Sequence, residues 1–194
     1  MPGPIQGIRV LELSQIMAGP TCGLLLADLG AEVIKIEKIP GGDDTRKFLP
    51  PDIKGESAAF MMMNRNKKGL ALNLKEKEGI EIFKTMVKDS DVVIENFRKG
   101  TLEKLGIGYE ELKKINSKII LCEISGYGRT GPYADKGGFD LVAQGMTGLM
   151  SITGESKEKP PMKVGAPLTD ITAGILGATG VLAALVNRNK TGKG

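Results

Sequence analysis

Gly7-Ile-Arg-Val-Leu-Glu-Leu-Ser14, then Ala18-Gly-Pro-Thr-Cys-Gly-Leu-Leu-Leu-Ala-Asp28, then Glu32-Val-Ile-Lys-Ile-Glu37 follow one another closely near the start of the chain. The first run alternates apolar and polar side chains, the period of a strand. The second opens at a Gly-Pro turn, with Pro20 suited to a first helical position. It continues on Leu and Ala and ends near Gly30, a natural residue just beyond a helix. The third run is rich in β-branched residues and reads as a second strand. Strand, helix and strand in so short a span call for parallel strands joined by a right-handed crossover.

The alternation continues downstream. Residues 70–74 read as a strand, and 77–88 as an amphipathic helix with Ile80, Phe83 and Val87 on one face. Residues 91–97 form a strand, 101–105 and 109–115 short helices, and 118–125 a further strand. This pattern predicts an α/β fold: a Rossmann-like, doubly wound parallel sheet with flanking helices, in one domain over residues 1–194. In such sheets ligands bind beyond the carboxyl ends of the strands, where Glu37, Lys38 and Glu95-Asn96-Phe97 fall. An adenosine-containing ligand fits there; for Glu37 and Lys38 a solvated pair at a strand end is the plainer alternative. Residues 40–68 are loop-like and polar at both ends, with a short helix near 57–63. Gly126-Tyr-Gly-Arg-Thr-Gly131 matches a dinucleotide-binding glycine pattern literally. No helix opens directly behind it, so it reads as a glycine-rich loop near a site. A helix follows from Asp140 to about Met150, and 151–163 form an exposed, charged connection.

The last element is long and uncharged from Ile171 to Val186. Ile171, Ile175, Ala178, Leu182 and Leu185 recur at helical spacing. Ala173, Gly177, Gly180 and Ala184 form a second stripe of small residues, which predicts close packing against another backbone. Glycine costs about 1 kcal/mol inside a helix, so such residues need a packing reason. Pro167 sets the approach, and Thr169 or Asp170 is expected to cap the start. Asp170 has two compatible readings: a helix cap, or a nucleophilic carboxylate at the positive end of the helix. The run falls short of the roughly 20 apolar residues of a membrane span, and no membrane association is expected.

Composition narrows the chemistry. There is no His, which removes imidazole acid–base catalysis, Ser-His-Asp and Cys-His arrangements and His-based metal sites. No metal-ligand cluster is visible. Cys22 and Cys122 are far apart in the chain and suggest no disulfide scaffold, so a reducing, cytoplasmic setting is expected. Aromatics make up 4% with no Trp, which argues against a base-stacking surface. The net charge of +4 is dispersed, which suits an anionic small molecule better than nucleic acid.

Together these segments resemble the class III CoA-transferases, the family that includes formyl-CoA and carnitine CoA-transferases. The resemblance rests on Val10-Leu-Glu-Leu with Ala18-Gly-Pro20, Gly30-Ala-Glu-Val-Ile-Lys-Ile-Glu37, Gly42-Asp43, Asn64-Arg-Asn-Lys-Lys68, Glu95-Asn-Phe97, Gly126-Tyr-Gly128, Phe139-Asp-Leu-Val-Ala-Gln-Gly-Met146, and Asp170 with Gly174. It implies a CoA-binding domain from an interlocked homodimer, with Asp170 as nucleophile, coenzyme A as substrate and product, and no metal. An acyl-CoA and a carboxylic acid are the implied partners. By position Lys38, Leu72, Asn96 and Phe97 match residues lining the CoA site. Met17 falls where formyl-CoA transferase has a Gln, which implies an acyl group less polar than formyl or oxalyl. The α-methylacyl-CoA racemases are similar but use a Gly-His-Asp segment. Here that segment is Gly138-Phe139-Asp140, which favours a transferase. A CoA-binding fragment without activity of its own is the other reading, because members of the family run to about twice this length.

Overall fold

The computed structural model describes residues 2–156 and 158–194. Met1 and Lys157, the latter in the 151–163 connection read above, lie outside the described residues. The elements in chain order are β1 (Arg9–Glu12), α1 (Ala18–Asp28), β2 (Glu32–Glu37), a 3-10 turn (Asp44–Lys47), β3 (Asp52–Ile53), β4 (Glu56–Ser57), α2 (Ala58–Asn64), β5 (Lys67–Ala71), α3 (Lys77–Val87), β6 (Val92–Glu95), α4 (Thr101–Lys104), α5 (Tyr109–Ile115), β7 (Ile120–Glu123), α6 (Asp140–Met146), α7 (Leu149–Thr153) and α8 (Leu168–Thr191).

The main sheet has the order β5-β2-β1-β6-β7, all parallel. Chain order reverses between β1 and β6, and a crevice opens at such a reversal, beyond the carboxyl ends of the strands. The central strands are buried on both faces and read as apolar runs for that reason. Val10, Val92 and Ile94 pack toward Cys22, Leu26, Ala178, Val181 and Leu185 of α1 and α8. Leu11, Leu13 and Val93 pack toward Phe83 and Val87 of α3, Leu102 of α4 and Leu112 of α5. The doubly wound arrangement expected from the alternation is therefore present.

Three local expectations are corrected. The fifth strand runs over Lys67–Ala71, three residues earlier than apolar content suggested. Its backbone pairs with β2 from Val33–Lys67 to Glu37–Ala71, and pairing at a sheet edge does not require apolar side chains. Leu72 has already left the strand for the core. The helix from Asp140 stops at Met146, because Gly148 adopts φ 81° and breaks it before α7. The 40–68 loop carries a 3-10 turn and a small hairpin of β3 and β4 in addition to the expected helix.

The packing stripe of α8 is also shifted from expectation. Its buried residues are Gly174, Ala178, Val181 and Leu185, whereas Ile175 is exposed and Gly180 faces open space. Gly174, outside the expected stripe, makes the tightest contact. A Cβ there would sit 2.5 Å from Thr21 Cβ and 2.6 Å from the Ala18 carbonyl oxygen. Gly177 covers the two thiols, with a Cβ position 3.4 Å from Cys22 Sγ and 3.5 Å from Cys122 Sγ. These approaches bring the first turns of α1 and α8 together. In length and composition α8 is apolar enough to cross a bilayer. In this fold one stripe of it packs on α1 and β7.

Candidate active site

The crevice between β1 and β6 is a cavity of about 340 Å³. Residues 15–18 beyond β1 and 96–99 beyond β6 form two of its walls, the 124–140 loop a third, and Thr169, Asp170 and Ala173 of α8 the fourth. Among the residues singled out from sequence, Met17, Asn96, Phe97 and Asp170 meet here. Lys38 lies outside the lining. It donates to Gln15 Oε1 at 3.1 Å and pairs with Asp44 at 2.8 Å. Leu72 is buried in the core below.

Asp170 is the third residue of α8 and does not cap it. Pro167 occupies the cap position without a side-chain bond. The cap comes from a distant residue: Asp140 Oδ1 accepts from the Thr169 amide at 2.9 Å and from Thr169 Oγ1 at 2.7 Å. Asp140 is held in turn by Gln144 Nε2 at 2.7 Å, and Gln144 Oε1 accepts from the Val164 amide. Burial pushes the pKa of Asp140 up, but the Thr169 and Gln144 bonds outweigh it and the net shift is downward. The half-buried Asp170 carboxylate accepts no hydrogen bond among the described residues. Burial, and then the charge of Asp140, raise its pKa above the ordinary carboxylate range.

The opposite wall is held firmly. Asn96 Oδ1 accepts from the Gln15 amide at 2.9 Å, and Asn96 Nδ2 donates to the Gln15 carbonyl at 2.8 Å. The Asn96 side chain thus clamps backbone rather than projecting freely into the cavity. The Thr21 amide and hydroxyl both donate to the Met17 carbonyl at 2.8 Å. Behind this wall lie buried charges. Lys35 Nζ is 3.0 Å from Glu12, 2.8 Å from Asp43 and 2.9 Å from the Ser14 carbonyl. Lys67 Nζ is 2.8 Å from the other Glu12 oxygen. Buried charges persist only when paired in this way.

Arg129 of the glycine-rich loop donates to Glu95 and to the Phe97 carbonyl, and pairs with Glu123 at 3.1 Å. Burial pushes Glu95 up to about 7 against the pull of the Phe97 amide and Arg129. Gly126 and Gly138 meet backbone to backbone, so the loop folds over the cavity without opening a helix. Arg98 and Lys136 are exposed cations on the lining. Sequence reasoning missed the roles of Asp140, Asp43 and Arg129. The Gly138-Phe139-Asp140 segment was visible, but its link to α8 spans 29 residues and has no local signature.

Comparison with known proteins agrees with this geometry. CoA-transferase family III matches residues 5–194. The chain is 44% identical over 191 residues to succinyl-CoA:glutarate CoA-transferase of Mus musculus, covering 98% of this chain and 44% of that protein. It is 46% identical over 197 residues to succinate–glutarate CoA-transferase of Agrobacterium fabrum, covering 98% of this chain and 49% of that protein. A CAIB/BAIF family protein from Brucella suis superposes with a TM-score of 0.95 at 44% identity, over 100% of this chain and 52% of that one. The chain spans about half the length of the relatives it matches. It belongs to CoA-transferase family III.

Proposed function

We propose that this chain forms the CoA-binding, nucleophile-bearing part of an enzyme that moves CoA from an acyl-CoA thioester to a carboxylic acid. The observation that carries the reading is Asp170: a carboxylate without a hydrogen-bond donor among the described residues, facing a cavity at the β1/β6 crevice. A structural carboxylate collects donors; a nucleophile keeps its lone pairs available.

In the first step an Asp170 oxygen attacks the thioester carbonyl. The C–S bond breaks, CoA leaves as thiolate, and a mixed anhydride forms. The thiolate then attacks the Asp170 carbonyl and releases the donor acid as carboxylate, leaving Asp170 as a CoA thioester. The acceptor carboxylate attacks that thioester and again expels CoA thiolate. Attack of the thiolate on the acceptor's acyl carbon restores the free Asp170 carboxylate. No net proton and no oxidant is involved, consistent with a chain that has no His. The anhydride must be kept from water. The Met17, Ala18 and Phe139 side of the cavity is apolar and serves that purpose.

In this reading Lys38, now paired with Asp44 outside the cavity, would turn to a CoA phosphate, and Phe97 on the cavity wall would pack on the adenine. The two curated relatives described above act on succinate, glutarate or their CoA derivatives. A dicarboxylate needs a cation for its second carboxylate, and Arg98 and Lys136 at the rim supply that chemistry. Succinyl-CoA as donor and a dicarboxylic acid as acceptor therefore replace the less polar acyl group that Met17 suggested. We further propose that the whole protein works as an interlocked homodimer in the cytoplasm.

The test uses the whole protein of which this chain is part. It is incubated with succinyl-CoA, treated with hydroxylamine or borohydride, digested and examined by mass spectrometry. Modification at Asp170 and transfer of CoA to glutarate are expected. Transfer with no adduct at Asp170 would sink the mechanism, and no transfer to any dicarboxylate would sink the substrate class.

A further inference from the structure

Ile16 adopts φ 69°. A β-branched residue in the left-handed region is an outlier, and such conformations persist only where their surroundings over-determine them. The restraint here is identifiable. Both carboxylate oxygens of Asp43 lie 3.2 Å from the Ile16 amide nitrogen, across 27 residues of chain. Asp43 is itself buried and immobilised. Lys35 Nζ lies 2.8 Å from its Oδ2, and the Thr45 amide and hydroxyl donate to its Oδ1 at 2.9 and 2.8 Å. A carboxylate paired with Lys35 and Thr45 would already be satisfied; the additional reach to Ile16 serves the loop. The flanking residues are fixed independently, Gln15 by Asn96 and the Met17 carbonyl by Thr21. Every residue from Gln15 to Ala18 lines the cavity that Asp170 faces.

We propose that Asp43, backed by Lys35, is a positioning residue: it holds Ile16 in its left-handed conformation and thereby sets Met17 and Ala18 in the place the transfer reaction requires. The effect on rate rests on the transferase reading above. The hold on Ile16 does not.

Both parts are tested in the whole protein with D43N, D43A, I16G and the double variant D43A/I16G. Glycine enters the left-handed region without steric cost, so it can adopt the loop geometry without being held. We expect D43A to lower kcat for succinyl-CoA-to-glutarate transfer by ten- to a hundredfold, with a smaller change in KM. D43N, which retains an oxygen toward Ile16, should fall between D43A and the unaltered protein. The double variant should recover at least threefold in kcat over D43A. Amide exchange at Ile16 should quicken at least tenfold in D43N. A D43A protein that melts earlier but, where folded, turns over at the original kcat would overturn the proposal, as would the absence of recovery in the double variant. If D43A does not fold, D43N decides: unchanged kcat with unchanged exchange overturns it. If the unaltered protein transfers no CoA, the functional reading fails instead. The exchange measurement then still judges the hold, which is refuted if Ile16 exchanges equally fast with and without Asp43.

Discussion

Asp43 and Asp170 border the same short segment and are opposites in surroundings. Asp43 reaches Ile16 from a buried position and accepts from Lys35, Thr45 and the Ile16 amide. Burial alone would raise its pKa, but Lys35 and the Thr45 bonds outweigh burial and the net shift is downward. Asp170 shares the cavity with Ile16, Met17 and Ala18, and has no donor among the described residues. Its neighbour in charge is another carboxylate, Asp140, so burial and repulsion act together to raise its pKa. One carboxylate is saturated with donors and the other has none, which fits the roles proposed for them, geometry for Asp43 and reaction for Asp170. The difference lies in which donors the fold delivers, not in residue type.

The largest expected effect separates the two most sharply. Asp170→Asn leaves the helix and its Asp140 cap in place but removes the proposed nucleophile. CoA transfer should fall by a factor on the order of 10³ or more, with a melting temperature within a few degrees of the original. A variant retaining a tenth of the activity would break the contrast, because Asp170 would then be one polar wall residue among several.

Asp43→Ala should act the other way, on stability first. It removes one of the two carboxylates paired with the buried Lys35, leaving Glu12 and the Ser14 carbonyl, and breaking a buried pair costs up to about 3–5 kcal/mol. The sign of its pH dependence follows from the lowered pKa. The contribution of Asp43 is in place above the ordinary Asp range and is lost as pH falls through its folded value. Acid unfolding should therefore begin at higher pH without Asp43, as circular dichroism melts across pH would record.

Gly174→Ala probes the joint between the two regions. The new methyl would press on Thr21 Cβ and the Ala18 carbonyl, forcing α1 and α8 apart. Overpacking of this kind costs about 1–3 kcal/mol. It should also lower kcat, because Asp170 rides on the first turn of α8 and Met17–Ala18 lead into α1. Gly180→Ala, which meets open space, is the matched control and should be neutral or slightly stabilising.

These contrasts also explain what could be read from sequence. The strand–helix–strand unit was legible because its periodicities are local; of the two strand ends read as ligand-facing, that of β6 with Asn96 and Phe97 lines the cavity, whereas Lys38 at the end of β2 does not, because the strand order that sets β1 beside β6 has no local signature. Asp170 was visible as the one charge at the mouth of an uncharged helix. Its freedom from donors was not, because the expected cap role belongs to Asp140, 29 residues earlier. The small-residue stripe of α8 was read correctly at Ala173, Gly177 and Ala184, which pack on the core, but not at Gly180, for a similar reason. Small residues occur on several of its faces, and the partner, Thr21 and Ala18 on α1, selects Gly174. Asp43 was quoted as part of a pattern without a role, since nothing local ties it to Ile16. Local order is written in spacing, whereas the pairing of distant side chains emerges only once the sheet brings them together.

The smallest effect tests the electrostatic half of the comparison. Asp170 must be ionised to attack, so the rate should decline on acidification as its carboxylate takes up a proton. That decline should come at a higher pH than for an ordinary aspartate, because burial and Asp140 raise its pKa. Asp140→Asn keeps an oxygen for the Thr169 amide while deleting the charge. Loss of the repulsion should lower the pKa of Asp170 and move the acid limb of the pH–rate profile to lower pH, with a stability change on the order of 1 kcal/mol or less from the altered cap. An acid limb that stays put would mean that burial alone sets the Asp170 proton affinity and that Asp140 serves only as a cap. A limb that moves to higher pH would contradict the electrostatic account, because removing a neighbouring negative charge cannot by itself make a carboxylate easier to protonate.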